Sequence, residues 1–233
     1  MISPGSPPED PFLEDRHRAL AERARAFGEK HLRASAGDEA HAAERTREIA
    51  ARLGEAGLLG AAVPAPHGFM DLRGLVAVRE ALAYYSSLAD TAFAMQGLGM
   101  GPVSLFGTPE QRREWLTRTR KGEAIAAFAL SEPASGSDVA NIATTATRTA
   151  GGYVLDGEKM WISNGGIADV YVVFARTGGA PGAKGLSAFI VPAATPGLEI
   201  AERIDVTAPH PLARLAFRRC EVPTAALIGR EGD

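Results

Sequence analysis

The chain has 233 residues, a formal net charge of −3 and 45% hydrophobic residues, so it is long enough for one large or two small domains with a real core. No basic run is present, which argues against a nucleic-acid partner, and no segment approaches the roughly 20 consecutive apolar residues of a membrane span. The single cysteine, Cys220, excludes an internal disulfide, and we interpret it as a small packing residue in a strand. These features predict a soluble cytoplasmic protein.

The first residues predict a flexible tail followed by helices. Met1 to Pro11 contains four prolines and two acids, and it has neither the basic nor the apolar region of a signal peptide. From residue 12 to residue 123 the apolar spacing is helical. Three such series are Leu13, Leu20, Phe27; Ile49, Leu53, Ala56; and Leu75, Val78, Leu82, Tyr85. Gly57 is well placed to end the second of these helices.

Two further signals complete the helical part. The run 92–106 is apolar almost all round, which is typical of a helix buried among others. Thr108, Pro109 and Gln111 then combine a threonine N-cap, a proline at the first helical position and a glutamine at the third. This combination predicts a helix that continues over 112–120.

From residue 124 the hydrophobic period shortens to that of strands. Segments rich in Val, Ile, Thr and aromatic residues, separated by Gly-containing breaks, cover 124–130, 143–149, 153–156, 170–176, 186–192, 198–201 and 212–217. This spacing favours a small closed sheet, which is either a barrel or a sandwich. Helices followed by strands indicate the α+β class or two separate domains, with an N-terminal all-α domain at 12–123 and a β-domain at 124–233. No Gly-x-Gly-x-x-Gly follows a strand, so any dinucleotide is not held in the Rossmann manner.

A polar loop follows the first predicted strand. Leu130-Ser-Glu-Pro-Ala-Ser-Gly-Ser-Asp138 carries three hydroxyls, two acids, a proline and a glycine. It can be a capped turn whose Ser and Asp side chains bond nearby backbone amides. It can also be a rigid loop that grips a planar heterocycle, since a flavin ring needs donors to its carbonyl oxygens and to N5.

A second segment, Lys159-Met-Trp-Ile-Ser-Asn-Gly-Gly166, contains one of the two tryptophans. Trp161 is either a core anchor or a flat face against a flat cofactor. Residues i and i+2 share one face of a strand, so Trp161 and Ser163 could approach one ligand together. Gly165 and Gly166 would let the backbone come close or turn sharply.

Together, in this order and on this helix-then-strand background, the two segments resemble motifs of the acyl-CoA dehydrogenases. The motifs are [Thr/Ser]-Glu-Pro-x-x-Gly-Ser-Asp and Trp-Ile-[Thr/Ser]-Asn. Further matches in the family's order are Gly57 to Pro64, Gly107 to Leu116, Phe189 to Pro192, Pro196-Gly197, Val222-Pro223 and Leu227 to Gly229, so the resemblance covers about residues 12 to 230. The chain stops at Asp233, where the family begins a C-terminal helical domain, so the resemblance implies that this domain is missing.

The resemblance implies that the strands of 124–233 form a small antiparallel β-barrel domain and that FAD lies in a cleft between this barrel and the helices. Ser131 would offer its hydroxyl and Leu130 its backbone to the pyrimidine side, Trp161 would cover the dimethylbenzene end, and Ser163 would reach toward N5. The implied flavin positions are Phe128, Leu130, Ser131, Gly136, Ser137, Trp161, Ile162 and Ser163. Ser137 is the implied acyl-thioester position, and no metal site is expected. His210 is a further candidate for a thioester contact, because the matching stretch of the family lies near the thioester, and its alternative role is that of a surface or packing histidine.

The resemblance also implies a reaction, the α,β-desaturation of an acyl thioester. A carboxylate takes the α-proton while the β-hydrogen leaves as hydride to N5. Electrons would then pass to an electron-transferring flavoprotein or another acceptor. Because the family's last domain helps to hold FAD and builds the tetramer, a homo-oligomer or a companion acyl-CoA dehydrogenase subunit is expected.

Two departures from the family pattern leave alternatives open. The family's catalytic glutamate lies in the missing domain, so no catalytic residue is assigned, and Glu132 and Asp138 are expected to form ion pairs or caps. The stretch 206–213 differs from the family's, with Pro209 and Pro211 stiffening the chain around His210. The chain is therefore a dehydrogenase polypeptide, a non-catalytic module that binds FAD or a thioester or docks to a partner chain, or a relative acting on another substrate such as a carrier-protein thioester or a nitroalkane.

Overall fold

A computed structural model describes residues 11–32, 41–180, 182–208 and 210–232. The predicted tail lies outside the described residues except for Pro11, and so does Pro209. Helices precede strands along the described chain, which confirms the α+β class. Within the described ranges no helix combines the length and the apolar character needed to cross a membrane.

Two helix boundaries that the sequence predicted, at Gly57 and at Thr108, are confirmed in the helical part. The helices are α1 (Asp15–His31), α2 (Ala42–Glu55), α3 (Leu72–Tyr85), α4 (Ser87–Phe106), α5 (Pro109–Gln111) and α6 (Thr117–Arg120). Gly57 follows α2 with a φ of 69°, the left-handed conformation that glycine adopts without steric cost. The Thr108 side chain accepts a hydrogen bond from the Gln111 N–H, and the Gln111 side chain accepts one from the Thr108 N–H, which confirms the capping box. A π-helical stretch, Arg112–Leu116, joins α5 to α6.

The strands form one sheet. They are β1 (Ala126–Ala129), β2 (Thr145–Arg148), β3 (Gly152–Ser163), β4 (Val170–Arg176), β5 (Leu186–Pro192), β6 (Leu198–Arg203), β7 (Leu212–Pro223) and β8 (Leu227–Ile228). The order is β6-β7-β3-β2-β4-β5-β8, and β1 pairs with β4. The sequence predicted β4 and β5 at their observed bounds, stopped β3 early and did not predict β8.

The sheet is mixed, which corrects the expectation of antiparallel pairing throughout. β1 runs parallel to β4, from Ala126 opposite Val170 to Ala129 opposite Val173, and β2 makes one parallel pair with β4. A parallel pair needs a long crossover, and the polar loop together with β2 and β3 supplies it. Strand propensity cannot reveal this arrangement because it carries no information on strand direction.

Strand β4 separates two hydrophobic cores. Val170 and Val172 pack with the helices, whereas Tyr171 and Val173 belong to a second core that consists mostly of strand residues. Helix α4 lies directly on β1, because a Cβ at Gly99 would stand only 2.7 Å from the Cβ of Ala126. The end of β1 therefore lies between α4 and the rest of the sheet.

Candidate functional site

A cleft of about 170 Å³ lies where α4, the end of β1 and the end of β3 meet. Its lining consists of Met95, Leu98, Phe128, Leu130, Ser131, Trp161, Ile162 and Ser163. The two sequence segments therefore contribute to one cavity, although they are separated along the chain. Gly136 and Ser137, also predicted to contact the flavin, are exposed on the polar loop and do not line the cleft.

Trp161 stands on a strained part of β3. Its φ is 60°, an uncommon value for a bulky residue, and its side chain is 56% exposed although it lines the cleft. The pairing of β3 with β7 shifts by one residue between Lys159 and Ile162, which is a β-bulge. Trp161 and Ser163 do share the cleft as their spacing predicted, but a bulge and not regular strand alternation sets the indole. Such strain persists only where the surroundings fix it and is common at functional sites.

The polar loop is fixed to β3 by backbone and side-chain bonds. The Met160 N–H donates to the Ser131 carbonyl at 2.8 Å, and the Lys159 ammonium donates to the Leu130 carbonyl at 3.0 Å. Both carbonyls of the Leu130-Ser131 pair are thereby bound to β3. The two motif segments form one rigid wall of the cleft, which the sequence did not predict.

Glu132 fixes the same loop through its buried carboxylate. Its carboxylate accepts the N–H groups of Ala143 and Thr144 and pairs with the buried Lys159 ammonium at 2.8 Å. Burial opposes the charge on Glu132, but the bonds from Lys159, Thr144 and Ala143 outweigh it and lower the pKa of this carboxyl. This confirms that Glu132 is an ion-pair and capping residue. A carboxylate held by three donors is poorly suited to take a proton from a substrate.

Asp138 also has a local role. Its carboxylate accepts from the Asn141 side chain at 2.5 Å, and its carbonyl accepts from the Ser135 hydroxyl. These contacts confirm the predicted cap-like turn, in which polar side chains satisfy neighbouring backbone and side-chain groups. The loop is therefore internally hydrogen-bonded around its exposed tip at Gly136 and Ser137.

Alternate residues of β1 direct their backbone groups away from β4. The Ala126 N–H donates to Gln96 at 2.9 Å, and its carbonyl accepts from Asn164 at 2.8 Å, so both groups point away from β4. Because backbone groups alternate along a strand, Phe128 directs its N–H and carbonyl to that same side. Phe128 lines the cleft, so a ligand edge there can bind backbone as well as side chains.

Helix α4 supplies lining residues that the sequence did not identify. Met95 and Leu98 face the cleft, and Leu98 is 46% exposed, although the run appeared buried on all sides. The available signals were the close spacing of glycines at 97, 99 and 101 and the lone amide of Gln96 within the apolar run. Of these residues, Gln96 and Gly99 mark the side of α4 that meets β1.

His210 lies at the end of β3 nearest the cleft. Ser163 pairs with Leu212, and the Asn164 N–H donates to the Pro211 carbonyl at 2.8 Å, so residues just before β7 run beside Ser163. The His210 Nε2 lies 3.4 Å from the Ser163 hydroxyl oxygen, and its Nδ1 lies 3.0 Å from the Ala208 carbonyl. The predicted contact of His210 with a ligand stays a prediction. His210 does lie next to Ser163, which is one of the predicted flavin residues.

Cys220 is completely buried in β7, and burial raises the pKa of its thiol to about 11. A thiol that is protonated and inaccessible is not a nucleophile. This confirms the interpretation of Cys220 as a packing residue.

Gly165 and Gly166 also behave as predicted, because Gly166 has a φ of 80° and a Cβ at Gly165 would stand 2.6 Å from the Cβ of Ala213.

The cleft itself is uncharged. None of the described residues that line it is acidic or basic; the lining offers two hydroxyls among apolar and aromatic side chains. Such a surface suits a flat, largely apolar ligand with a polar edge. Within the described residues no group of His, Cys, Asp and Glu side chains could hold a metal ion.

Two family models match the chain. The N-terminal domain of acyl-CoA dehydrogenase matches residues 14–123, and the middle domain of acyl-CoA dehydrogenase matches residues 127–220. Among similar curated proteins, the mitochondrial short-chain specific acyl-CoA dehydrogenase of Rattus norvegicus is 34% identical over 227 residues, 94% of this chain and 55% of the relative. The chain spans about half the length of the curated relatives it matches.

Solved structures share the fold over nearly the whole chain. One described as the electron transferring flavoprotein of Acidaminococcus fermentans has a TM-score of 0.88 and 32% identity, covering 96% of this chain and 60% of that one. An acyl-CoA dehydrogenase complexed with FAD from Bacillus anthracis has a TM-score of 0.85 and 32% identity, covering 95% of this chain and 39% of that one.

Proposed function

The chain belongs to the acyl-CoA dehydrogenase family, as its motifs predicted, and we propose that it forms the flavin-facing part of an enzyme that desaturates acyl thioesters between the α and β carbons. The observation that carries the proposal is the meeting of both motif segments in one cleft. There the exposed indole of Trp161 and the hydroxyls of Ser131 and Ser163 surround the same space.

FAD is the cofactor, and the cleft residues fit one end of its ring system. Trp161 and Phe128 provide flat apolar faces, while Ser131, Ser163 and the Phe128 backbone provide polar contacts for a ring edge. The space of about 170 Å³ is smaller than the roughly 300 Å³ at which pockets for drug-sized ligands begin, so most of the dinucleotide would extend beyond it. We propose that the phosphates of FAD and the acyl thioester lie along the exposed loop at Gly136 and Ser137. His210 is a further proposed contact of the thioester.

Bound FAD would accept the hydride from the β-carbon. The residues of this chain would hold and orient the flavin ring. The hydrogen-bonded Leu130-Ser131 pair fixes the Ser131 hydroxyl, and the bulge fixes the aromatic face of Trp161. Met95 and Leu98 would exclude water from the cleft. The cleft lining has no carboxylate in the described chain, so we propose that the base for the α-proton comes from outside these residues.

The proposal is tested by the visible spectrum of the purified chain, before and after acyl-CoAs are added without oxygen. A flavin band that bleaches would support catalysis by this chain. A flavin band that stays would support the second candidate, a module that binds FAD or thioester without turnover. The uncharged cleft favours that second candidate, because a dehydrogenase needs a base. A protein that binds neither FAD nor an acyl thioester would contradict both.

The substrates and partners are also proposals. Acyl-CoA is the proposed substrate, and an electron-transferring flavoprotein or another acceptor is the proposed electron partner; the likeness to the A. fermentans structure supports the latter. We propose that the chain forms a homo-oligomer or binds a companion acyl-CoA dehydrogenase subunit, and that in the second case the companion supplies the base. The division at residues 123 and 124 and a cytoplasmic location are proposed from composition, and fractionation would test the latter.

A further inference from the structure

The hydroxyl of Ser163 has a defined partner at the cleft. Ser163 lines the cavity, and among the described residues its hydroxyl has one hydrogen-bond partner, the Nε2 of His210 at 3.4 Å. The backbone supports this contact, since Ser163 pairs with Leu212 and the Asn164 N–H binds the Pro211 carbonyl. His210 is therefore held beside Ser163 by the start of β7, independently of any ligand.

The other nitrogen of His210 determines where the ring proton lies. Nδ1 is 3.0 Å from the carbonyl of Ala208, and a carbonyl oxygen can only accept a hydrogen bond. Nδ1 must therefore carry the proton, and in the neutral ring Nε2 offers only a lone pair. The Ser163 hydroxyl must then donate a hydrogen bond to His210 Nε2, which leaves the lone pairs of its oxygen directed toward the cleft.

We propose that His210 is a positioning residue that fixes the Ser163 hydroxyl as a hydrogen-bond acceptor toward the cleft. This consequence rests on the proposed function, with the Ser163 hydroxyl facing the flavin N5. A hydrogen-bond acceptor there favours the reduced ring, because the reduced ring carries an N–H at N5 and the oxidised ring does not. Without His210 the hydroxyl rotates freely and donates or accepts equally well. His210 thus tunes the cofactor through Ser163.

The test compares the affinities of oxidised and reduced FAD, measured anaerobically at about pH 8, where an ordinary imidazole is neutral. His210→Ala is expected to lower the ratio of reduced to oxidised affinity about fivefold, the effect of one net hydrogen bond. Ser163→Ala should lower it similarly, and the double variant no further, because both act through one bond. His67→Ala, at an exposed histidine away from the cleft, is the matched control and should keep the wild-type ratio.

The ratio separates positioning from general damage, since misfolding lowers both affinities together. An unchanged ratio in His210→Ala with FAD still bound would overturn the assignment and leave the proposed function standing. A wild-type chain that binds no FAD would overturn the proposed function, and the ligand-free measurement below would then decide this assignment.

A second measurement needs no ligand. Nitrogen-15 spectra of the imidazole in the wild-type chain should show the proton of His210 on Nδ1, and Ser163→Ala should shift the Nε2 resonance. A neutral ring protonated on Nε2 would overturn the assignment, because Ser163 would then accept and not donate.

Discussion

The ammonium of Lys159 lies 2.8 Å from a carboxylate oxygen of Glu132, and the two side chains are 0% and 6% exposed. The same ammonium donates to the Leu130 carbonyl, so this buried ion pair sits directly behind the loop that lines the cleft. Burial lowers the pKa of Lys159, and the pair with Glu132 opposes that shift. The loop and the strand of the site are therefore joined by a charge pair that water does not reach.

Glu132→Gln should be strongly destabilising, because it leaves the Lys159 charge buried without a counter-charge. Breaking a buried pair in this way costs about 3–5 kcal/mol, measurable as the free energy of unfolding in urea. Glu158→Gln is the matched control, since its pair with Arg214 is half-exposed and worth about 0–1 kcal/mol. Equal losses in the two variants would contradict the role given to the buried pair.

Acid should weaken the wild type through the same carboxylate. The folded-state pKa of Glu132 is lowered, so its contribution is fully present above the ordinary glutamate pKa of about 4.3 and is lost as the pH falls through the lower folded value. The difference in unfolding free energy between wild type and Glu132→Gln should therefore shrink below about pH 4. A difference that stays constant from neutral pH to about pH 3 would rule out this linkage.

Trp161→Ala should weaken FAD retention more than Cys220→Ala. The first removes an exposed aromatic face at the cleft, whose loss is worth about 1 kcal/mol or roughly fivefold in Kd, whereas the second removes a small buried group. Because Trp161 is largely exposed, its removal should leave thermal stability nearly unchanged. Trp161→Phe should retain most of the FAD, and equal FAD content in the two alanine variants would contradict the proposed contact.

Gly99→Ala should destabilise the junction of α4 and β1. The new Cβ would stand 2.7 Å from the Ala126 Cβ and 3.1 Å from the Ala126 backbone, an overpacking that costs about 1–3 kcal/mol. Gly101→Ala on the same helix is the control, since no heavy atom lies within 4 Å of its new Cβ and alanine favours helix by up to about 1 kcal/mol. Opposite shifts in urea midpoint are expected, and a Gly99 variant as stable as wild type would contradict the close contact.

The Cys220 thiol should resist alkylation until the protein unfolds. Its side chain is completely buried, and burial raises its pKa to about 11, so almost no thiolate exists at about pH 8. Labelling with a thiol reagent should proceed only with added denaturant. Rapid labelling of the native chain would contradict the packing role.

Local signals predicted the helices and the most buried strands. Thr108 with Gln111 marked a helix start, and Gly57 marked an end, because caps depend on residues only a few positions apart. The strands β4 and β5 were predicted at their bounds because both of their faces are buried and read as apolar runs. In β3, the glycine at 157 and the charges at 158 and 159 interrupt the pattern, so its second half was missed.

The sequence by itself determined the family, the α+β class and six of the residues that line the cleft, because motif chemistry and hydrophobic period are local properties. Only the tertiary structure decided which residues meet across the chain. Lys159 is a charged residue whose burial depends on Glu132, and Trp161 owes its exposure to a bulge opposite β7. The parallel pairing of β1 with β4 and the contact of His210 with Ser163 likewise join distant segments. Their geometry follows from how the elements pack, because no local sequence pattern relates two residues that are far apart along the chain.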